Sequence, residues 1–69
     1  MKLKAYKKSE LAVAYAPNIT ERAALNRLNL WIHENDELVR RLEETRYSPY
    51  QKIFTLKQVA LLFEFLGEP

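Results

Sequence analysis

Apolar residues recur along this chain at three- and four-residue spacing, and Pro, Asn and Gly interrupt them at a few points. That pattern predicts four helices. The first runs from Lys8 or Ser9 to Tyr15, with Leu11, Ala12 and Tyr15 on its inward face. Two turns of helix do not persist alone in water, so tertiary packing must hold it. Ala16 to Ile19 form a short connection around Pro17 and Asn18. Thr20 is a favourable N-cap for a second helix reaching about His33. Its core stripe is Ala24, Leu25, Leu28, Trp31 and Ile32, all within about 60° of Leu28 on a helical wheel. On that stripe Trp31 reads as a core residue rather than a platform for stacking bases.

Asn35 or Asp36 caps a third helix ending near Thr45, with Leu38, Val39 and Leu42 facing inward. Arg46 to Lys52 form a polar loop around Pro49. Thr55 and Gln58 have the spacing of a capping box for the last helix, and Gly67 suits the position just past its end. Leu56, Val59, Leu62, Phe63 and Leu66 form its expected core face. The segment from Lys4 to Ala12 also echoes the segment from Lys52 to Ala60, each placing an apolar–aromatic pair before a helix start. The two pairs, Ala5-Tyr6 and Ile53-Phe54, are candidates for a two-stranded ribbon tying the chain together. The expected architecture is a mainly α single domain over residues 1–69: four helices containing a helix–turn–helix, with or without this ribbon.

Composition narrows the function classes. The chain has 69 residues, 48% hydrophobic and 29% charged, which is globular composition for one small domain. It has no Cys and one His, so disulfides and thiolate metal sites are excluded. No glycine-rich phosphate loop occurs, and Ser9 and Ser48 lack a recognisable base and orienting acid. His33 falls near a helix C-terminus, where an imidazolium interacts favourably with the helix dipole. The acidic clusters Glu34-Asp36-Glu37 and Glu43-Glu44 lack a metal-ligand spacing and read as solvated helix faces. No enzymatic activity, cofactor, metal or small-molecule substrate is therefore expected. The N-terminus is basic without an apolar stretch behind it, and no run is long enough to span a bilayer, so a cytoplasmic location is expected.

The second helix carries the most informative surface. Arg22, Asn26, Asn29 and His33 fall at i, i+4, i+7 and i+11, opposite the Leu28 face. Arg pairs with guanine and Asn with adenine in two-pronged contacts, so this stripe suits the major groove of DNA. Thr20 and Arg27 complete the candidate set on this helix. The net charge is +2, divided as +4 over residues 1–33 and −2 over residues 34–69. Lys7 and Lys8 stand where they would contact phosphates. The expected function is non-enzymatic binding of double-stranded DNA; the alternative is a small protein–protein interaction module.

Self-association is a separate expectation. With Val59 centred on the buried face, Leu61 and Phe65 lie about 160° and 120° away, and Leu30 points off its own core stripe. These three residues form a homodimer interface unless the 46–54 loop, with Tyr47 and Tyr50, folds over the strip.

Several strings carry a resemblance. Tyr-x-Lys-Ser-Glu-Leu-Ala at 6–12, Tyr15-Ala16-Pro17, Ala24 through Leu28 to Trp31-Ile32, Thr55-x-x-Gln58-Val59 and the terminal Leu66-Gly67-Glu68-Pro69 together resemble a family of bacterial domains of unknown function about as long as this chain. The first half also resembles the helix–turn–helix of phage excisionases and mercury-resistance-type regulators. That resemblance implies a DNA-reading second helix and a regulatory or recombination-accessory role. The chain departs from those proteins in its turn, where Pro17-Asn18-Ile19 replaces a glycine-containing turn, and in a 46–54 loop without Gly.

Overall fold

The computed structural model describes residues 1–69 and orders them as β1 (Tyr6–Lys7), α1 (Lys8–Tyr15), α2 (Glu21–Glu34), α3 (Asp36–Glu43), β2 (Ile53–Phe54) and α4 (Leu56–Leu66). The helix starts follow the expected caps. Thr20 Oγ1 accepts from the Ala23 amide at 3.2 Å, and Asn35 Oδ1 accepts from the Leu38 amide at 3.1 Å. At α4 the box is reciprocal: Thr55 Oγ1 accepts from the Gln58 amide at 3.2 Å, and Gln58 Oε1 accepts from the Thr55 amide at 3.0 Å. Gly67 closes α4 with φ of 84°, a conformation open to glycine at no steric cost. No helix is long and apolar enough to cross a membrane.

The ribbon exists and is antiparallel, pairing Tyr6 with Phe54 and Lys7 with Ile53. Ala5, expected in the strand, lies outside it, because an antiparallel partner of Ile53 must follow Tyr6 rather than precede it. The Lys8 amide then donates to the Lys52 carbonyl at 2.8 Å and fastens the start of α1 to the far end of the loop.

The core is built from all four helices and both strands: Leu11, Ala12, Ala24, Leu28, Ile32, Leu38, Leu42, Phe54, Val59 and Leu62 lie in one cluster with Tyr6, Ala16 and Leu61. α1 packs chiefly on α2, and α3 bridges α2 and α4. Trp31 is half-buried at the edge of this core, with its ring edge-to-face on Tyr15 at 6.2 Å. Tyr15 in turn donates its hydroxyl to the Gly67 carbonyl. Burial, and then the nearby charge of Glu68, push the Tyr15 hydroxyl up to about 12 from its ordinary 10.0. Raising a phenol's pKa on folding favours the neutral ring. The contribution is therefore complete below pH 10 and is lost as the pH rises toward about 12. Thermal melts on either side of pH 10 are expected to show this loss, and a Tyr15→Phe variant is expected to show less of it.

Three expectations for α4 are corrected. Leu56, placed in the core, is 54% exposed. Leu61, placed on an uncovered strip, is buried at 7%, and Phe65 beside it is half-buried against the core. The cause is Gln58, which is polar by type yet only 2% exposed. Counting it among buried residues moves the centre of the inward face from Val59 to about Leu62. Leu61 and Phe65 then lie about 100° and 60° from the centre, and Leu56 about 120° away on the rim. The monomer covers the strip itself, so of the proposed interface only Leu30 remains exposed.

Candidate nucleic-acid interface

The loop after α3 is shaped by backbone first. Arg46 takes φ of 64°, the left-handed conformation that a non-glycine residue enters at a cost of about 1–2 kcal/mol. There its amide donates to the Glu43 carbonyl at 3.0 Å, and the Tyr47 amide donates to the Leu42 carbonyl at 3.2 Å. This Schellman closure satisfies the end of α3 and reverses the chain. Tyr47 then lies over Phe54, with the rings stacked 5.8 Å apart. The loop folds over the core as one reading of the sequence anticipated, but only through Tyr47; Tyr50 points into solvent.

Two buried polar side chains, neither of them on a hydrophobic stripe, hold this loop down. Gln58 Oε1 also accepts from Gln51 Nε2 at 2.7 Å, while Gln58 Nε2 donates to Thr45 Oγ1 at 2.9 Å. Both ends of its amide are thus satisfied inside the protein, which offsets the desolvation that burial imposes. Lys8 is the second. It is 6% exposed, and its Nζ donates to Tyr47 Oη at 3.1 Å and to the Pro49 carbonyl at 3.0 Å. The ammonium also lies over the Tyr47 and Phe54 rings, 5.5 and 5.8 Å from their centroids. No carboxylate pairs with it, and burial lowers its pKa. Lys8 was expected on an accessible basic arm; its amine is instead a pin between α1 and the loop, because the ribbon brings the loop over it.

The loop pinned this way becomes one wall of an open groove of about 680 Å³. The opposite wall is the outer face of α2, with Arg22, Leu25, Asn26 and Asn29, and the start of α1 contributes Lys7, Lys8 and Ser9. Pro49, Gln51, Lys52 and Ile53 form the loop side. Four of the eleven lining residues are Lys or Arg and none is Asp or Glu. The groove continues past Asn26, Asn29 and Pro49 into a second depression bordered by His33, Tyr47 and Glu43. The residues Arg22, Asn26, Asn29 and His33 are all exposed, as their spacing requires. None of the groove's cations forms an ion pair, whereas Arg40 and Arg41 on α3 are tied to Glu37 and Glu44. The groove's cations are therefore left without carboxylate partners, while those of α3 are paired within the helix.

Two members of the candidate set stand apart. Thr20 uses its hydroxyl as the α2 cap. Arg27 is exposed but lies about 140° round the helix from Arg22 and does not line the groove. Lys52 is the residue that sequence reasoning missed. The internal echo equates Lys52 with Lys4, and only the antiparallel pairing sets Lys52 opposite Lys8. Glu and Asp side chains nowhere gather with His into a metal-sized cluster. No curated protein and no solved structure matches the chain. Over residues 2–69 the sequence matches the domain of unknown function DUF4248, and the chain belongs to that family.

Proposed function

We propose that the chain is a non-enzymatic protein that binds double-stranded DNA, with α2 facing the major groove. The observation that carries the reading is the acid-free groove beside α2, where Lys7, Arg22 and Lys52 flank the Asn26–Asn29 pair. Cations without internal partners attract a polyanion and release its condensed counterions on binding. Asn26 and Asn29, one turn apart on an exposed face, have the two-pronged donor–acceptor chemistry that reads adenine. Lys8 supports the site indirectly, by holding the loop wall in place.

Fluorescence anisotropy with a random-sequence duplex at two salt concentrations tests this. Replacing Lys7 and Lys52 by Ala is expected to weaken binding to every sequence and to flatten the salt slope by about one unit per lost contact. Asn26→Ala is expected to act differently, relaxing preference at particular base pairs by about 1–3 kcal/mol. Absence of binding to any duplex at low salt overturns the reading.

A second reading, a protein-interaction module, is favoured by one observation. Tyr50, Ile53 and Leu56 are exposed within a seven-residue stretch, and Leu30 is exposed on α2. Pull-down of a protein partner that Leu30→Glu and Leu56→Glu abolish, with no duplex binding, would favour it. Self-association through Leu30 belongs to this reading.

A further inference from the structure

The loop opposite α2 is tied by hydrogen bonds along its backbone and yet displays its largest side chain to solvent. Ser48 and Gln51 bond each other twice, with the Ser48 amide on Gln51 Oε1 at 3.0 Å and the Gln51 amide on the Ser48 carbonyl at 3.1 Å. The Tyr50 amide donates to Ser48 Oγ at 3.2 Å, and Gln51 Nε2 donates to the Ile53 carbonyl at 2.8 Å. With the Lys8 pin on Pro49, every residue flanking Tyr50 is held. The Tyr50 ring itself is 89% exposed, more than any other large hydrophobic side chain of the protein, and it has no aromatic neighbour. A hydrogen-bonded backbone presenting a bare aromatic ring has already met the backbone share of the ordering cost of a contact.

Charge complementarity says what the contact is. Tyr50 stands between Pro49 and Gln51, both on the wall of the acid-free groove, with Lys52 two residues on. A DNA strand lying in that groove has α2 on one side, in the major groove, so the loop on its other side faces the minor groove. We propose that the 48–52 loop is a second DNA contact, in which Tyr50 enters the minor groove across the backbone strand seated between loop and helix. This rests on the duplex-binding reading. The minor groove is about 6 Å wide, enough for a ring edge-on, and the guanine amino group obstructs its floor at G·C pairs. Apolar and aromatic side chains entering there gain contact with sugars and partly unstacked bases.

Anisotropy titrations of the wild type, Tyr50→Ala, Tyr50→Phe and Asn26→Ala decide it, each with an A·T-rich duplex, a G·C-rich duplex and a single strand. Tyr50→Ala is expected to keep the wild-type melting temperature, to bind the A·T-rich duplex about tenfold more weakly, and to lose the preference for it over the G·C-rich one. Tyr50→Phe is expected to retain both. Wild-type affinity in Tyr50→Ala together with weakened binding in Asn26→Ala overturns the loop contact and leaves the duplex reading standing. A Tyr50→Ala loss confined to the single strand overturns the minor-groove placement. A wild type that binds no duplex overturns both.

Discussion

Phe54→Ala is expected to unfold most of the chain at physiological temperature. Phe54 is fully buried where β2 meets the core, and it is the partner of Tyr6 across the ribbon. Its ring supports Tyr47 on one face, and the Lys8 ammonium lies over it at 5.8 Å. Removing a buried Phe ring costs about 3–5 kcal/mol through lost transfer energy and the cavity left behind. A domain of this length has a total stability of about 3–10 kcal/mol, so the loss consumes much or all of it. The Lys8 ammonium also loses its contact with the face of the Phe54 ring. Urea titration followed by circular dichroism is expected to place the midpoint far below wild type, if any folded baseline remains. A variant melting within a few degrees of wild type would mean that the ribbon and loop contribute little to the fold.

The second large effect concerns binding. Arg22→Glu combined with Lys52→Glu reverses one charge on each wall of the groove. Both side chains are exposed and neither is in an ion pair, so the fold is expected to survive intact. The Lys52 carbonyl continues to accept from Lys8, since only the side chain changes. Two attractive charges near phosphate become repulsive, and at about 0.1 M salt the screening length of about 10 Å leaves that repulsion in force. Affinity for any duplex is expected to fall by at least about 100-fold. Reversing Arg40 and Arg41 on α3, which are already paired with carboxylates, is the control and is expected to change affinity little.

Local rules carried the sequence reading a long way. The caps at Thr20, Asn35 and Thr55 are short-range chemistry, and all three form as the sequence implied. The outward stripe from Arg22 to His33 also followed from spacing alone. Failures arose where a residue's environment is set by distant chain. Gln58 is polar, so a hydrophobic wheel leaves it out, and the resulting tilt misassigned Leu56, Leu61 and Phe65. Its burial depends on Thr45 and Gln51, which sequence periodicity does not relate to α4. Lys8 was misplaced for the same reason, its acceptors being 39 and 41 residues away. The ribbon was anticipated through an internal echo that aligns its strands in the same direction, and the true antiparallel pairing exchanges Ala5 for Lys7. The groove was legible in Lys7 and the α2 stripe, but its loop wall was not, because that wall exists through the Arg46 reversal and the two buried polar side chains.

On the proposed reading, DNA occupies the groove between α2 and the 48–52 loop. Amide chemical-shift mapping of the isotope-labelled protein with a random-sequence duplex at low salt decides whether it does. Perturbations are expected to concentrate at Lys7, Arg22, Asn26, Asn29, Gln51 and Lys52 and to fade as salt is raised. Perturbations confined to the outer faces of α3 and α4, or no perturbation at any salt, would contradict it.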